Sequence, residues 1–137
     1  MILNKIKEKL NAYLFNLQCI KIRDTPPIQY HYKTDIKIVT QVHHDAMDMY
    51  LVAIKSFLYH FGSCSVEILS DGSLTAEDKK ILKQHIPRVN ITEIATIDTG
   101  LCPKGGTWER LIFILNLSKD AYIIQLDSDT ITVGPVP

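Results

Sequence analysis

Two aspartates near the end of the chain have the residue type and spacing of a metal site. Asp127 and Asp129 stand two positions apart, directly after the apolar segment 122–126. Two carboxylates this close repel each other unless a cation lies between them. Ligand sets made of oxygen alone suit a hard divalent ion such as Mg²⁺ or Mn²⁺. The motif therefore predicts a divalent metal, which often keeps open positions for phosphate oxygens; a metal that bridges a diphosphate neutralises the charge that develops as the diphosphate departs.

The same aspartates have other interpretations. Aspartate is common in turns, so both residues could simply be solvated turn residues after a strand. A calcium loop requires oxygen at its fifth position and glycine at its sixth, where this chain has Ile131 and Thr132. Haloacid-dehalogenase-like phosphatases carry Asp-x-Asp after their first strand, with a long catalytic domain behind it, whereas here the motif lies within the last eleven residues, so that interpretation is poor. We favour the metal site because the motif comes after a fourth hydrophobic strand, predicted as a buried one.

The segment that leads to this motif alternates between strand and helix patterns. Gly62 is predicted to end the first of its helices, and Thr75 with Asp78 predicts a capping box at the start of the second. This alternation predicts an α/β fold, a Rossmann-like and mostly parallel sheet with flanking helices. The predicted strands are 36–42, 66–69, 89–94, 121–126 and a short one at 131–133; the predicted helices are 47–61, 75–86 and 108–117.

In parallel α/β sheets, ligands bind outside the carboxyl ends of the strands. The residues at those ends are His43, His44 and Asp45, then Ser70 and Asp71, then 127–130. Adjacent histidines suggest a metal, but residues i and i+1 do not share a helix face. A surface or hydrogen-bonded histidine pair is therefore the favoured interpretation.

The N-terminal segment 1–34 is predicted to be a helix and a linker that precede the α/β domain at 35–137. Arg23-Asp24-Thr25-Pro26-Pro27 is the linker, because a proline pair does not continue a helix. Before it, apolar residues recur at three- and four-residue steps, with lysines 5, 7 and 9 near the polar side. A helix packed on the domain or on a partner is favoured; the second interpretation is a basic anchor in residues 1–20 lying peripherally on a membrane. The apolar positions are Ile2, Leu3, Ile6, Leu10, Tyr13, Leu14 and Leu17.

Charge balance, cysteine spacing and the length of the apolar runs argue against several classes of protein. The chain has 137 residues and equal numbers of acidic and basic side chains, 15 each, so nothing indicates a nucleic-acid partner. Its three cysteines are an odd number without Cys-x-x-Cys spacing, which argues against a disulfide scaffold and for a reducing cytosol. The apolar runs are too short for a membrane span, and the start lacks the pattern of a secretory signal. We therefore expect a cytoplasmic protein.

The stretch Leu126-Asp127-Ser128-Asp129-Thr130, with apolar residues and Gly-Pro after it, resembles the Asp-x-Asp region of GT-A glycosyltransferases. The likeness is strongest to the glycogenin-like and lipopolysaccharide-galactosyltransferase-like group. Arg110 matches a basic residue that this group places at the start of the helix before the Asp-x-Asp strand, where it contacts the donor. The segment Val39-Thr40-Gln41-Val42 resembles the group's opening nucleotide-binding strand.

The resemblance implies a metal-dependent glycosyltransferase. Asp127 and Asp129 would hold Mn²⁺ or Mg²⁺ on a nucleotide-diphosphate sugar, with a UDP-sugar as the first choice. For Arg110 the alternative is a surface residue paired with Glu109 or Asp98. Asp45 and Tyr50 could serve as further family residues after the first strand. The candidate nucleotide-sugar-binding residues are Thr40, Gln41, Val42, Asp71, Arg110, Gln125, Leu126 and Ser128.

The chain departs from this group on the C-terminal side of the motif. The group usually supplies a later histidine to the metal, whereas all five histidines here precede Asp127. We therefore expect a domain that is incomplete at its C-terminus, with the acceptor and the catalytic residues unassigned. The alternative function is a non-catalytic nucleotide-binding or protein-interaction module that lacks the acceptor half.

Overall fold

A computed structural model describes residues 2–105 and 107–136 of the chain. Met1, Gly106 and Pro137, which the predicted segments include or border, lie outside the described residues. Short 3₁₀ turns occupy Ile20–Asp24, His44–Ala46 and Ile94–Thr96. The helices are α1 Ile2–Cys19, α2 Met47–Phe61, α3 Ala76–His85 and α4 Trp108–Leu117; the strands are β1 His31–Val42, β2 Ser63–Ser70, β3 Asn90–Glu93 and β4 Tyr122–Gln125.

The four strands form one parallel sheet in the order β3-β2-β1-β4. The first strand in the chain is therefore an inner strand, and Ile38 pairs with Val66 on one side and with Ile124 on the other. Because all strands run the same way, their carboxyl ends meet at one edge of the sheet. This confirms the predicted Rossmann-like α/β fold with a parallel sheet.

Helices cover both faces of the sheet. Consecutive side chains of the inner strand β1 point to opposite sides, and buried apolar residues lie on each side. Ile38 faces the main core, where it joins Ile54 of α2 and Leu82 of α3. Its neighbour Val39 faces a smaller cluster with Phe113 of α4. The helix that precedes β4 therefore lies on the opposite face from α2 and α3.

Helix ends agree with the predicted signals. Gly62 ends α2 with a φ of 80°, and its N–H donates to the carbonyl of Leu58 at 2.9 Å. The capping box of α3 is present, with Thr75 Oγ1 accepting from Asp78 N at 3.1 Å and Asp78 Oδ2 accepting from Thr75 N at 2.8 Å. The first contact ends α2 just before β2, and the second begins α3 shortly after β2.

Two sequence predictions about the end of the chain are wrong. Within the described residues β4 pairs with β1 alone, so it is an edge strand rather than a buried one, and Tyr122 is 70% exposed. Its run of apolar residues resembles that of a central strand, and such a run carries no information about which neighbours pair with it. The predicted strand at 131–133 does not form; Thr132 N instead donates to Ser56 Oγ of α2 at 3.1 Å.

The N-terminal helix is present, but its apolar side does not pack on the domain. Every residue from 5 to 18 is exposed, and Cys19 at the end of α1 is buried. The described residues contain no helix that is long and apolar enough to cross a membrane. The three cysteines are free, in keeping with the absence of a disulfide scaffold.

Candidate functional site

A cleft opens at the carboxyl edge of the sheet. Three parts of the chain line it: the end of β1, the first turn of α4, and the end of β4 with the turn beyond it. The lining residues are Gln41, His43, Thr107, Arg110, Gln125, Leu126, Asp127, Ser128 and Asp129. The structure thus brings together seven of the ten residues assigned to nucleotide-sugar or metal binding, and they come from segments far apart in the chain.

The turn that carries the two aspartates is anchored to the sheet. Leu126 is buried, and its N–H donates to the carbonyl of Val39 in β1 at 3.0 Å. Beyond it, Thr130 Oγ1 donates to the carbonyl of Asp127 at 2.9 Å, which closes the turn. These two bonds support the backbone that carries Asp127 and Asp129.

Both carboxylates are exposed, and within the described residues neither forms an ion pair or a side-chain hydrogen bond. Carboxylate oxygens without a protein cation beside them suit a hard divalent ion that keeps other positions for water or phosphate. The described residues hold no cluster of three or more histidine, cysteine, aspartate or glutamate side chains placed to share an ion. Asp127 and Asp129 therefore fit a metal as a partial ligand set.

The amino end of α4 provides the basic side of the cleft. Thr107 precedes the helix and Arg110 lies in its first turn, half-buried. Glu109 between them is buried and accepts a hydrogen bond from Gly105 N at 2.6 Å. The carboxylate of Asp98, one of the two residues considered as a partner for Arg110, accepts from Gly100 N at 2.9 Å.

Of the three binding residues predicted at the end of β1, one has a side chain that lines the cleft. Gln41 lines the cleft, whereas Thr40 and Val42 are 1% and 0% exposed and lie outside the lining. Consecutive side chains of a strand point to opposite faces, so the side chain of Gln41 points away from the face on which Thr40 and Val42 lie. Tyr50, considered as a family residue, is also fully buried.

Asp71 lies just after β2 at the same edge but does not line the cleft. Its Oδ1 accepts from Ser73 N at 2.9 Å and from Ser73 Oγ at 2.6 Å. Partial burial acts to raise the pKa of Asp71, but the hydrogen bonds from Ser73 and the nearby His43 outweigh it and lower that pKa. The carboxylate is thus occupied by its own turn.

The two adjacent histidines have different surroundings. His43 lines the cleft, and the Nδ1 of His44 lies 2.6 Å from Asp78 Oδ2 at the start of α3. This hydrogen bond and the charge of Asp78 raise the pKa of His44. His43 and Thr107 were not assigned to the site from the sequence, although the position of His43 directly after β1 was a signal for it.

Comparisons with known proteins support the fold. No family model matches the chain, and no curated protein matches it. Its fold is similar to that of the mannosyltransferase Ktr4p from S. cerevisiae, with a TM-score of 0.50 and 15% sequence identity. The match covers 88% of this chain and 42% of that one, so this chain spans less than half of that protein's length.

At this identity the likeness shows the fold alone, a Rossmann-like α/β fold with a parallel sheet. The similar structure is a mannosyltransferase, so it gives no support to the glycogenin-like group in particular. The comparison therefore supports the parallel α/β arrangement of this chain, at whose carboxyl edge the cleft lies.

Proposed function

We propose that this chain is the donor-binding part of a metal-dependent glycosyltransferase, which binds a nucleotide-diphosphate sugar and transfers the sugar to an acceptor. One observation carries the proposal: Asp127, Asp129 and Arg110 line the same cleft at the carboxyl edge of a parallel sheet. Carboxylates for a cation and a guanidinium for an anion in one cleft suit a ligand that is itself a metal-diphosphate complex.

The two sides of the cleft would divide the diphosphate between them. The amino end of α4 carries a partial positive charge, which favours phosphate. Arg110 adds a planar guanidinium that binds two oxygens at once, and the hydroxyl of Thr107 lies at the same end. Asp127 and Asp129 would hold Mn²⁺ or Mg²⁺, which when bound neutralises charge on the departing diphosphate.

The end of β1 would hold the nucleoside. Gln41 and His43 line the cleft on the side of β1, and both carry groups that form hydrogen bonds with a base or a ribose. A UDP-sugar as donor, and membership of the glycogenin-like and lipopolysaccharide-galactosyltransferase-like group, are proposals that rest on the resemblance of residues 35–137.

Calorimetry with UDP in the presence of Mn²⁺ or of EDTA tests the metal site. We expect Mn²⁺ to strengthen binding to the wild type by at least about tenfold, and Asp127→Asn/Asp129→Asn to lose that gain. Asp120→Asn is a matched control, because Asp120 is an exposed aspartate just before β4 and outside the cleft. Equal Mn²⁺-dependent binding by the wild type and the double variant would refute the proposal.

A second variant separates the phosphate contact from the metal. Arg110→Ala should weaken UDP binding with EDTA as well as with Mn²⁺, because the guanidinium acts on the phosphates directly. Arg110→Lys should recover only part of the affinity, since an ammonium lacks the planar pair of donors. If uridine binding weakens as much as UDP binding in Arg110→Ala, Arg110 does not bind the diphosphate.

The second candidate is a non-catalytic nucleotide-binding or protein-interaction module. It is favoured because no third histidine, cysteine, aspartate or glutamate joins the two carboxylates within residues 2–105 and 107–136. One experiment distinguishes the glycosyltransferase from the non-catalytic module: the chain is incubated with Mn²⁺ and a UDP-sugar, and the free sugar is then measured by chromatography. Release that disappears in Asp127→Asn/Asp129→Asn excludes the non-catalytic module.

A further inference from the structure

Helix α1 stands clear of the α/β domain over most of its length. All residues from 5 to 18 are exposed, and the helix joins the body at its carboxyl end, where Cys19 is buried. Just beyond it, the guanidinium of Arg23 holds both carboxylate oxygens of Asp48 in α2, at 2.5 and 2.9 Å. The junction is therefore fixed, while about 20 Å of helix extends from it.

The exposed helix carries an apolar stripe on the side opposite its buried residue. At 100° per residue, five apolar side chains fall within an arc of about 100°, and Cys19 lies on the other side of the axis. Ile6 and Tyr13 are each 61% exposed and Leu10 is 54% exposed, so the described part of the chain does not cover the stripe. The stripe consists of Ile6, Leu10, Tyr13, Leu14 and Leu17.

Such a helix needs a surface to lie on. An isolated helix of this length is marginal in water, because most helical stability comes from packing of an apolar face. A contiguous apolar stripe of this kind marks an interaction surface rather than scattered exposed residues. The stripe requires that this surface be apolar where the two meet.

The charges beside the stripe indicate the partner. Lys7 and Lys9 border it on its two sides, and Lys5 lies one step beyond Lys9, whereas Glu8 is on the far side. Three lysines against one glutamate give α1 a net charge of +2 in a chain whose net charge is zero. Lysine stems can lie along an apolar surface while the ammonium groups reach outward, which is the arrangement of helices at lipid interfaces.

We propose that α1 lies in the interface of an anionic phospholipid bilayer, with the apolar stripe toward the acyl chains and Lys7 and Lys9 at the headgroups. Anionic headgroups attract the helix, whereas a second copy of it brings another charge of +2 against the first. Tyr13 adds a ring with a polar tip, which suits the boundary between acyl chains and water. This inference is independent of the proposed sugar transfer.

Co-sedimentation of the full chain with vesicles tests the proposal. We expect binding to phosphatidylcholine vesicles that contain about 30% phosphatidylserine to be at least about tenfold tighter than to phosphatidylcholine alone. Leu10→Ser/Leu14→Ser should weaken binding at least about tenfold. Lys7→Gln/Lys9→Gln should weaken it about fivefold for each lysine, on anionic vesicles only.

Matched variants on other helices control for surface changes in general. Leu111→Ser/Leu115→Ser replaces two exposed leucines of α4 with the same four-residue spacing, and Lys80→Gln/Lys83→Gln replaces two exposed lysines of α3. Both controls should bind vesicles as the wild type does. The proposal is overturned if neither vesicle binds or if the controls weaken binding equally. A dimer in light scattering that Leu10→Ser/Leu14→Ser dissociates, without vesicle binding, also overturns it.

Discussion

Replacement of His85 by asparagine should remove acid sensitivity from the fold between about pH 6.5 and 5.5. His85 ends α3 and is 6% exposed, and its Nδ1 lies 2.9 Å from Nζ of Lys55, a buried lysine of α2. The ammonium also donates to Thr25 Oγ1 at 2.6 Å and to the carbonyl of Pro26 at 2.8 Å. Lys55 thus ties the linker after α1 to two helices through three neutral acceptors, one of which becomes cationic when His85 is protonated.

The sign of the effect is set by the pKa of His85. Burial lowers this pKa below 6.5, and the charges of Lys55 and Arg23 lower it further against a hydrogen bond with the backbone of Arg23. The unfolded chain therefore takes up a proton near pH 6.5, where the folded chain does not. The contribution of neutral His85 to the free energy of unfolding is complete above about pH 6.5. It is lost as the pH falls, by at most about 1.4 kcal/mol for each pH unit.

Urea unfolding monitored by circular dichroism at several pH values measures this slope. His85→Asn keeps an oxygen near the position of Nδ1 to accept from Lys55 and has no proton to take up, so its stability should not fall between about pH 6.5 and 5.5. His44→Asn is the contrasting variant, because the hydrogen bond to Asp78 raises the pKa of His44. Its contribution is complete below about pH 6.5 and is lost as the pH rises, so its removal should steepen the acid loss. An unchanged slope in His85→Asn would show that protonation of His85 does not cause the acid loss of stability.

Two further predictions concern stability, and the same urea unfolding measures both. Leu82→Ala should lower the free energy of unfolding by about 2–5 kcal/mol, because Leu82 is fully buried against the sheet. Leu115→Ala is its control and should change that free energy little, because Leu115 is 53% exposed. Similar losses in the two variants would contradict the assignment of the core. Gly62→Ala should cost about 1–2 kcal/mol through its φ of +80° alone, since nothing lies within 4 Å of an added Cβ. Gly134→Ala, where no positive φ occurs, is its control, and an equal loss there would show that backbone conformation is not the cause.

The elements predicted from the sequence are those whose signals are local. The bounds of α2 and the capping box of α3 depend on residues within a few positions, such as Gly62, Thr75 and Asp78. The end of β1 could be located as a ligand-binding edge because strand alternation predicts a parallel sheet. Gln41, Arg110 and the two aspartates of the motif accordingly lie in one cleft.

Other features depend on pairing between distant segments, and local patterns do not contain it. The apolar residues of β4 predicted a buried strand, but its place at the edge is set by the choice of β1 as its partner. The pattern of α1 predicted an amphipathic helix without indicating that its apolar side faces away from the domain. Likewise, the pair His43-His44 shows no sign in the sequence that Asp78 would hold one of the two and leave the other at the cleft.

The edge position of β4 has a consequence for how the domain folds and opens. Four paired positions hold β4 to β1, against eight between β1 and β2, and β1 and β4 are separated by most of the domain. Because it has one neighbouring strand and four paired positions, β4 is expected to open locally before the inner strands β1 and β2 do. A ligand that bridges the end of β1, the start of α4 and the turn after β4 would therefore act as a crosslink. Part of its binding free energy would appear as resistance of the sheet edge to local unfolding.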